Sequence, residues 1–119
     1  MTSQRILVVD DDPLIRRQLE DLFRQRGYQV DAAGDAPEAL QFLEANDYVL
    51  AVVDLRIPGT DGLSLTRQIH ERWSDLGVII ITGYASIRGA VEAIRQGAKA
   101  YVTKPVDGAE LLKKIAALG

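Results

Sequence analysis

The sequence predicts an α/β fold in which one parallel β-sheet carries helices on both faces. Short apolar runs alternate five times with longer segments whose apolar residues recur at helical spacing, which is typical of a sheet built from βα units. The run at 48–53 is apolar almost without interruption and rich in β-branched residues, as expected for a strand buried on both faces. The 119 residues contain no internal repeat, low-complexity segment or linker, so we expect residues 1–119 to form one domain.

The first half of the chain is predicted to hold three strands and two helices. The strands are placed at 5–10, 28–33 and 48–54. A helix at 13–26 is predicted because apolar residues recur at i, i+4, i+7 and i+8 from Ile15. Pro13 suits its first turn, and Gly27 suits the position that follows its last turn. Asp35 can cap a second helix that runs to about residue 45.

The second half is predicted to hold two more strands and three more helices. The strands are placed at 77–82 and 99–103, and the helices at about 63–72, 86–96 and 107–118. The helix at 86–96 is the weakest of the five, although Ser86 can cap it and Gly97 can end it. Its main apolar side chains are Ile87, Val91 and Ile94. Gly89 inside this helix costs roughly 1 kcal/mol relative to alanine, so we expect the helix to be the easiest element to displace.

Composition and charge exclude several classes of protein. Fourteen basic and seventeen acidic residues give a formal charge of −3, and no basic cluster stands out, so direct nucleic-acid binding is not expected. No apolar run reaches the roughly 18–20 residues of a membrane span, and the N-terminus lacks the zones of a signal peptide, so a cytoplasmic protein is expected. The chain has no cysteine and one histidine, His70, which excludes thiolate and multi-histidine metal sites but not a carboxylate site.

Polar side chains stand at the ends of four predicted strands. They are Asp10-Asp11-Asp12, Asp54, Thr82 and Thr103-Lys104-Pro105. Each alone has an ordinary explanation as a cap, a turn residue or a surface lysine, and Asp12 directly before Pro13 fits the role of a helix cap. Because the carboxyl ends of parallel strands share one edge, we expect these groups to converge there.

Carboxylates brought together in this way require a cation. Two of them about 5 Å apart repel by roughly 3 kcal/mol at an effective dielectric constant near 20. Oxygen ligands without histidine or cysteine favour Mg²⁺, which keeps positions open for phosphate oxygens. Lys104 and Thr82 would add a positive charge and a hydroxyl donor for the same oxygens. Asp54 could then act as a nucleophile and form an aspartyl phosphate.

At these residues the sequence resembles the receiver domain of two-component response regulators over essentially all of its length. The matching segments are ILVVDDD at 6–12, VVDLRIPGTDG at 52–62, IIITGYAS at 79–86, GAKAYVTKP at 97–105 and the LL pair at 111–112. The resemblance implies a flavodoxin-like (βα)5 three-layer sandwich whose five-stranded parallel sheet has the order 2-1-3-4-5.

The resemblance also implies a role for each residue of the site. Asp54 would be the phosphoacceptor. Mg²⁺ would be held by Asp10, Asp11, Asp54 and the backbone carbonyl of Arg56, with Asp11 a more direct ligand than Asp10. Thr82 would donate to the phosphoryl group, Lys104 would pair with it, and the Lys104–Pro105 peptide bond would be cis. Tyr101 would be the aromatic residue that swings inward on activation.

The implied partners are a sensor histidine kinase or a histidine phosphotransfer protein, which would supply the phosphoryl group. Activity beyond self-phosphorylation and slow autodephosphorylation is not expected. The output would be an effector domain, expected to regulate transcription, or a homodimer, reached through the fourth helix, the fifth strand and the last helix. The residues expected to face that partner are Arg88, Glu92, Arg95, Lys99, Tyr101, Glu110 and Lys113.

Two further expectations concern the surroundings of the site. A kinase-facing surface is expected from residues that flank the acidic pair, namely Leu14, Arg17, Gln18, Pro105 and Val106. Arg56 and Tyr84, two residues beyond Asp54 and Thr82, are bulky and would shield the phosphoryl group from water, which predicts a long-lived phosphoprotein.

Three other interpretations remain open from the sequence. An aspartate-nucleophile phosphatase usually carries a second aspartate two residues beyond the nucleophile, where this chain has Arg56. A flavin-binding module needs a phosphate-cradling loop after the first strand, where Asp10-Asp11-Asp12 would repel phosphate. A degenerate receiver that acts only as a protein-binding module would not need the complete set of acids, threonine and lysine.

Overall fold

A computed structural model describes residues 4–118. The strands in chain order are β1 (Arg5–Val9), β2 (Gln29–Ala33), β3 (Leu50–Asp54), β4 (Arg56–Ile57), β5 (Thr60–Asp61), β6 (Gly77–Thr82) and β7 (Ala100–Thr103). The helices are α1 (Pro13–Arg24), α2 (Ala36–Ala45), α3 (Gly62–Arg72), α4 (Ile87–Arg95) and α5 (Gly108–Leu118). No helix among the described residues is long and apolar enough to cross a membrane.

Five of the strands form one parallel sheet in the order β2-β1-β3-β6-β7. Because β6 and β7 are the fourth and fifth strands of this sheet along the chain, the order is the expected 2-1-3-4-5, and the flavodoxin-like fold is confirmed. The two-residue strands β4 and β5 pair antiparallel as a separate hairpin, in a segment where the sequence predicted no strand. Two pairs of residues around a Pro58-Gly59 turn are too short to leave an alternating pattern in the sequence.

The core lies in two layers, one on each face of the sheet. One layer packs α1 and α5 against the sheet, and the other packs α2, α3 and α4 against it. The central strand β3 is buried along its whole length, as its uninterrupted apolar run predicted. Helices therefore cover both faces of the sheet.

The ends of the helices follow the sequence signals. Asp12, Asp35 and Ser86 cap α1, α2 and α4 by accepting hydrogen bonds from backbone N–H groups of the first turn. Gly27 and Gly97 have positive φ angles of 90° and 108° and end α1 and α4. The residue after each glycine donates to a carbonyl five residues earlier, which is the Schellman arrangement that favours glycine.

The fourth helix packs differently from the prediction. The side chains expected to anchor it are exposed, with Ile87 at 87%, Val91 at 52% and Ile94 at 53% of their accessible surface. Its fully buried residue is Ala93, and Glu92, expected on the exposed face, is half-buried. The helix therefore turns small residues to the core and an apolar stripe to solvent.

Candidate functional site

Asp54 lies at the centre of the carboxyl edge of the sheet, as the last residue of the central strand β3. Asp10 follows β1 on one side of it, and Thr82 ends β6 on the other. Lys104 follows β7, whose last residue Thr103 pairs with Thr82. Because β1 and β6 are the direct neighbours of β3, the sheet order brings these four strand ends together, as the sequence predicted.

Three carboxylates form a compact cluster at this edge. One carboxylate oxygen from each of Asp10, Asp11 and Asp54 lies within 4.8 Å of the other two. Asp10 is completely buried and Asp54 is 6% exposed, whereas Asp11 faces solvent. Buried like charges at this separation repel strongly, so the cluster needs a positive charge close by.

Lys104 supplies a positive charge to this cluster. Its Nζ lies 2.9 Å from Oδ2 of Asp10 and 3.2 Å from Oδ2 of Asp54. The backbone N–H of Lys104 donates to the carbonyl of Thr82 at 2.7 Å, which ties the loop after β7 to the end of β6. The peptide bond from Lys104 to Pro105 is cis, as the resemblance implied.

Backbone N–H groups hold the other carboxylate oxygens. The N–H of Asp12 donates to Oδ1 of Asp10 at 2.9 Å, and the N–H of Arg56 donates to Oδ1 of Asp54 at 3.3 Å. The carboxylate of Asp12 accepts from the N–H of Leu14 and so serves as the α1 cap. Both oxygens of Asp10 are therefore engaged, and Asp12 is a cap rather than a member of the cluster.

Gly62 is a positioning residue that the sequence analysis missed. Its N–H donates to the carbonyl of Leu55 at 2.7 Å, so the start of α3 lies directly against the end of β3. A Cβ at this position would collide with the carbonyl oxygen of Asp54 and would lie 2.7 Å from Cα of Leu55. The only sequence signal was the Asp61-Gly62 pair, which indicates a turn but not a close approach to Asp54.

The surroundings shift the pKa of two groups in the site. Burial raises the pKa of the Asp54 carboxyl above its ordinary 3.8, and the charge of Asp10 raises it further against the hydrogen bonds from Arg56 and Lys104. Burial alone would lower the pKa of Lys104, but its contacts with Asp10 and Asp54 outweigh burial and raise it. Lys104 is therefore charged at neutral pH, and Asp54 ionises less readily than a solvated aspartate.

Thr82 is fully buried at the end of β6. Its Oγ1 accepts a hydrogen bond from the N–H of Tyr84 at 2.9 Å, which leaves the hydroxyl proton to be donated. Within residues 4–118, no hydrogen bond joins Thr82 to Asp54. The threonine therefore lies beside the carboxylate cluster without being bonded to it.

Arg56 and Tyr84 form a contact that sequence analysis did not predict. The guanidinium carbon of Arg56 lies 3.7 Å from the centroid of the Tyr84 ring, which is cation–π geometry. The sequence placed both residues near the site but carried no signal that they touch. Their stack connects the loop after Asp54 to the loop after Thr82.

Tyr101 is half-buried on β7, and its hydroxyl is enclosed without a hydrogen-bond partner among the described residues. The space for that hydroxyl comes from Gly89 in α4. A Cβ on Gly89 would lie 2.8 Å from Oη of Tyr101 and 2.9 Å from Oγ of Ser86. Gly89 is thus the contact between α4 and the Tyr101 ring as well as a weak point of the helix.

The cluster could hold a metal ion. Its donor set is three carboxylates, and among the described residues the buried Oδ2 of Asp10 has no hydrogen-bond partner but lies 2.9 Å from the ammonium of Lys104. Hard oxygen ligands of this kind suit Mg²⁺ or Ca²⁺ and do not suit soft metals. Asp11 is exposed, whereas both oxygens of Asp10 have neighbours, so Asp11 is the more available ligand.

Comparisons with known proteins agree on one family. The family model of the response regulator receiver domain matches residues 6–116. The virulence transcriptional regulatory protein PhoP of Salmonella typhimurium is 40% identical over 114 residues, which cover 96% of this chain and 51% of PhoP. The chain therefore spans about half the length of the curated relatives it matches.

Two solved structures have the same fold. A CheY-like response regulator receiver domain protein from Methanospirillum hungatei has a TM-score of 0.92 at 35% identity, covering 98% of this chain and 94% of the other. A response regulator from Burkholderia pseudomallei, determined with a phosphorylated aspartic acid, a calcium ion and citrate, has a TM-score of 0.87 at 31% identity. That match covers 98% of this chain and 72% of the other.

Proposed function

The chain belongs to the family of response regulator receiver domains, and on that basis we propose that Asp54 accepts a phosphoryl group from a phosphohistidine in a Mg²⁺-dependent reaction. A chain of this family is a signalling protein rather than a true enzyme. The observation that carries the proposal is the position of Asp54 between two further carboxylates and an ammonium. The donor is the phosphohistidine of a sensor histidine kinase or of a histidine phosphotransfer protein.

The proposed reaction transfers one phosphoryl group. A carboxylate oxygen of Asp54 attacks the phosphorus, the bond from phosphorus to the histidine nitrogen breaks, and the imidazole leaves with the bonding electron pair. Lys104 lies 3.2 Å from Asp54, within reach of the phosphoryl oxygens, and Thr82 has a hydroxyl proton to donate to them. The products are a mixed anhydride on Asp54 and a free histidine on the donor.

Asp10, Asp11, Asp54 and the backbone carbonyl of Arg56 are the proposed Mg²⁺ ligands. When bound, Mg²⁺ supplies charge neutralisation for the phosphoryl oxygens. Lys104 already offsets part of the negative charge of Asp10 and Asp54 in this structure. We assign Asp10 chiefly to orienting Lys104 and the loop after β1, and Asp11 to direct coordination. The Burkholderia relative was determined with a phosphorylated aspartic acid and a calcium ion, which supports phosphorylation of an aspartate in this chain.

The proposed kinase-facing surface is smaller than the sequence suggested. Leu14 is 76% exposed, and Arg17 and Pro105 are exposed beside the site, so all three are available to a partner. Val106 is buried, and Nε2 of Gln18 donates to its carbonyl at 3.1 Å. Those two residues tie α1 to the loop before α5, so we remove Val106 from the surface and assign Gln18 to this link.

The proposed output surface comprises α4, β7 and α5. Phosphorylation adds negative charge and strong hydrogen-bond acceptors at Asp54. Thr82 can move toward these acceptors, and the Tyr101 ring can move after Thr82. The exposed stripe of Ile87, Val91 and Ile94 adds an apolar part to a surface that the sequence described through its charged residues. Full burial of such a side chain contributes about 1.5–3 kcal/mol, so the stripe suits contact with an effector domain or a second copy. By analogy with PhoP, the output is transcription regulation.

A phosphotransfer assay tests this proposal. A phosphorylated histidine phosphotransfer domain is incubated with the wild-type protein, with Mg²⁺ or with EDTA, and with the Asp54→Ala variant. We expect label on the wild type with Mg²⁺ only and none on Asp54→Ala. Steady release of phosphate without a labelled protein would favour a phosphatase, and no reaction at all would favour a protein-binding module.

A further inference from the structure

Arg16 reaches from the first turn of α1 back to the end of β1. Its Nη1 donates to the backbone carbonyl of Asp10 at 2.8 Å. The N–H of Asp10 donates to the carbonyl of Ala33 at 3.0 Å, and its Oδ1 accepts from Asp12. The backbone of Asp10 is therefore held on both sides, by β2 through its N–H and by Arg16 through its carbonyl.

The fold keeps a space open for this guanidinium. A Cβ on Gly34, which follows β2, would lie 3.2 Å from Nη1 and 3.9 Å from Cζ of Arg16. The φ angle of Gly34 is not positive, so a larger residue there would be opposed by the closeness of the arginine rather than by the backbone conformation. Arg16 thus lies between the loop after β1 and the loop after β2.

The charge of Arg16 has no carboxylate partner among residues 4–118. Five ion pairs occur there, and none includes Arg16. Arg16 donates to a backbone carbonyl rather than to a carboxylate, so it contributes a hydrogen bond and not a salt bridge. Its hydrogen bond to the carbonyl of Asp10 places a positive charge next to a proposed metal ligand, where such a charge lowers the repulsion between carboxylates.

We infer that Arg16 is a positioning residue for the Mg²⁺ site, which sets the backbone of Asp10 and Asp11 and thereby the affinity for the ion. The inference rests on the proposed function, because it assumes that these aspartates bind Mg²⁺. Residues that orient metal ligands from behind typically contribute 10–100-fold in metal affinity.

The test measures Mg²⁺ binding by calorimetry on the protein without phosphodonor. We expect the dissociation constant of Arg16→Met to rise at least about 10-fold. Arg16→Lys should recover part of the loss, because it keeps the charge but not the planar donor group. Gly34→Ala should weaken binding by a smaller factor, because its Cβ displaces the guanidinium by a few tenths of an ångström.

The matched control is Arg67→Met, which removes the same charge from an exposed site on α3. It should bind Mg²⁺ within about two-fold of wild type, and melting curves in EDTA should show that each variant is folded. An unchanged dissociation constant for Arg16→Met, or an equal loss in Arg67→Met, overturns the inference. If Arg16→Met does not fold, Gly34→Ala and Arg16→Lys decide, and wild-type affinity in both overturns it.

Phosphorylation of the same proteins separates this inference from the proposed function. Wild type that binds Mg²⁺ but is not labelled by a phosphodonor contradicts the proposed function and leaves Arg16 as a positioning residue. Normal labelling together with unchanged Mg²⁺ binding in Arg16→Met contradicts the inference alone.

Discussion

At the scale of single residues, the charge of Asp54 in the site lowers the stability of the folded protein. Asp54 has a carboxylate oxygen within 4.8 Å of oxygens of Asp10 and Asp11, and its buried charge is only partly balanced by Lys104. Burial and the charge of Asp10 both raise the pKa of Asp54, so the ionised carboxylate opposes folding. Functional sites commonly keep such groups at a cost in stability.

This destabilising charge predicts that Asp54→Asn stabilises the protein in EDTA at neutral pH, by about 1 kcal/mol. The sign follows from linkage: with a raised pKa, the folded protein binds a proton at Asp54 more tightly than the unfolded chain does. The free energy of unfolding of the wild type therefore falls as the pH rises above 3.8. This loss is absent in Asp54→Asn, which has no carboxylate at that position. Urea unfolding at several pH values measures it. If Asp54→Asn were less stable than the wild type at pH 7, or if it stayed more stable at pH values below 3.8, the charge of Asp54 would not be what destabilises the wild type.

The stack of Arg56 on Tyr84 predicts a slow loss of the phosphoryl group. The two side chains connect the loops that flank Asp54, and neither can orient a water molecule as an acid or amide would. Replacing Arg56 by Asn together with Tyr84 by Glu should shorten the lifetime of the phosphoprotein at least several-fold. Decay of the label measured by intact mass tests this, with Arg67→Asn as the control. An unchanged lifetime of the phosphoprotein in the double variant would show that the stack does not slow loss of the phosphoryl group.

At the scale of elements, α1 is expected to receive the kinase. Arg17 is exposed on the helix that begins beside the acidic cluster, one turn from the exposed Leu14. The variant Arg17→Glu should slow transfer from the cognate kinase about 10-fold through reduced association, because charge complementarity acts mainly on association. Labelling by a small phosphodonor should be unchanged. Equal kinase rates for the variant and wild type would place the docking surface elsewhere.

The fourth helix shows why sequence periodicity gave a wrong expectation for one part of the fold. Residues Ile87, Val91 and Ile94 share one stripe, and a second stripe contains the small residues Gly89 and Ala93. Periodicity favours the larger side chains as the buried ones. The Tyr101 ring decides otherwise, since its hydroxyl fills the space against Gly89 and only small residues fit beside it. That packing depends on a residue in another element, which no local pattern contains.

The same contact predicts a disturbed switch in Gly89→Ala. Alanine favours the helix by roughly 1 kcal/mol, but its Cβ would lie 2.8 Å from the Tyr101 hydroxyl and push the ring outward. We expect the beryllofluoride adduct, which stands in for the phosphoryl group, to shift the amides of residues 84–102 in wild type and less in the variant. The control is Gly83→Ala, where a Cβ meets nothing within 4 Å. Equal amide shifts in Gly89→Ala and in the wild type would show that Gly89 has no part in the switch.

At the scale of the whole molecule, the strands and their ends could be predicted from strong sequence signals, whereas the strand order could be predicted only from the family resemblance. Uninterrupted apolar runs fix the strands, and Asp54, Thr82 and Lys104 mark where they end. Contacts between loops could not be predicted, because Gly62 against Asp54 and Arg56 on Tyr84 depend on how distant segments approach each other. The hairpin of β4 and β5 could not be predicted, because strands of two residues are too short to leave a pattern in the sequence.

We propose that the fold assembles one phosphoacceptor, Asp54, at the carboxyl edge of its sheet. This is tested by intact-mass measurement after incubation with acetyl phosphate. We expect a gain of one phosphoryl group on the wild type with Mg²⁺, no gain with EDTA, and no gain on Asp54→Ala with Mg²⁺. Equal labelling of Asp54→Ala, or labelling of the wild type that is independent of the divalent cation, would contradict it.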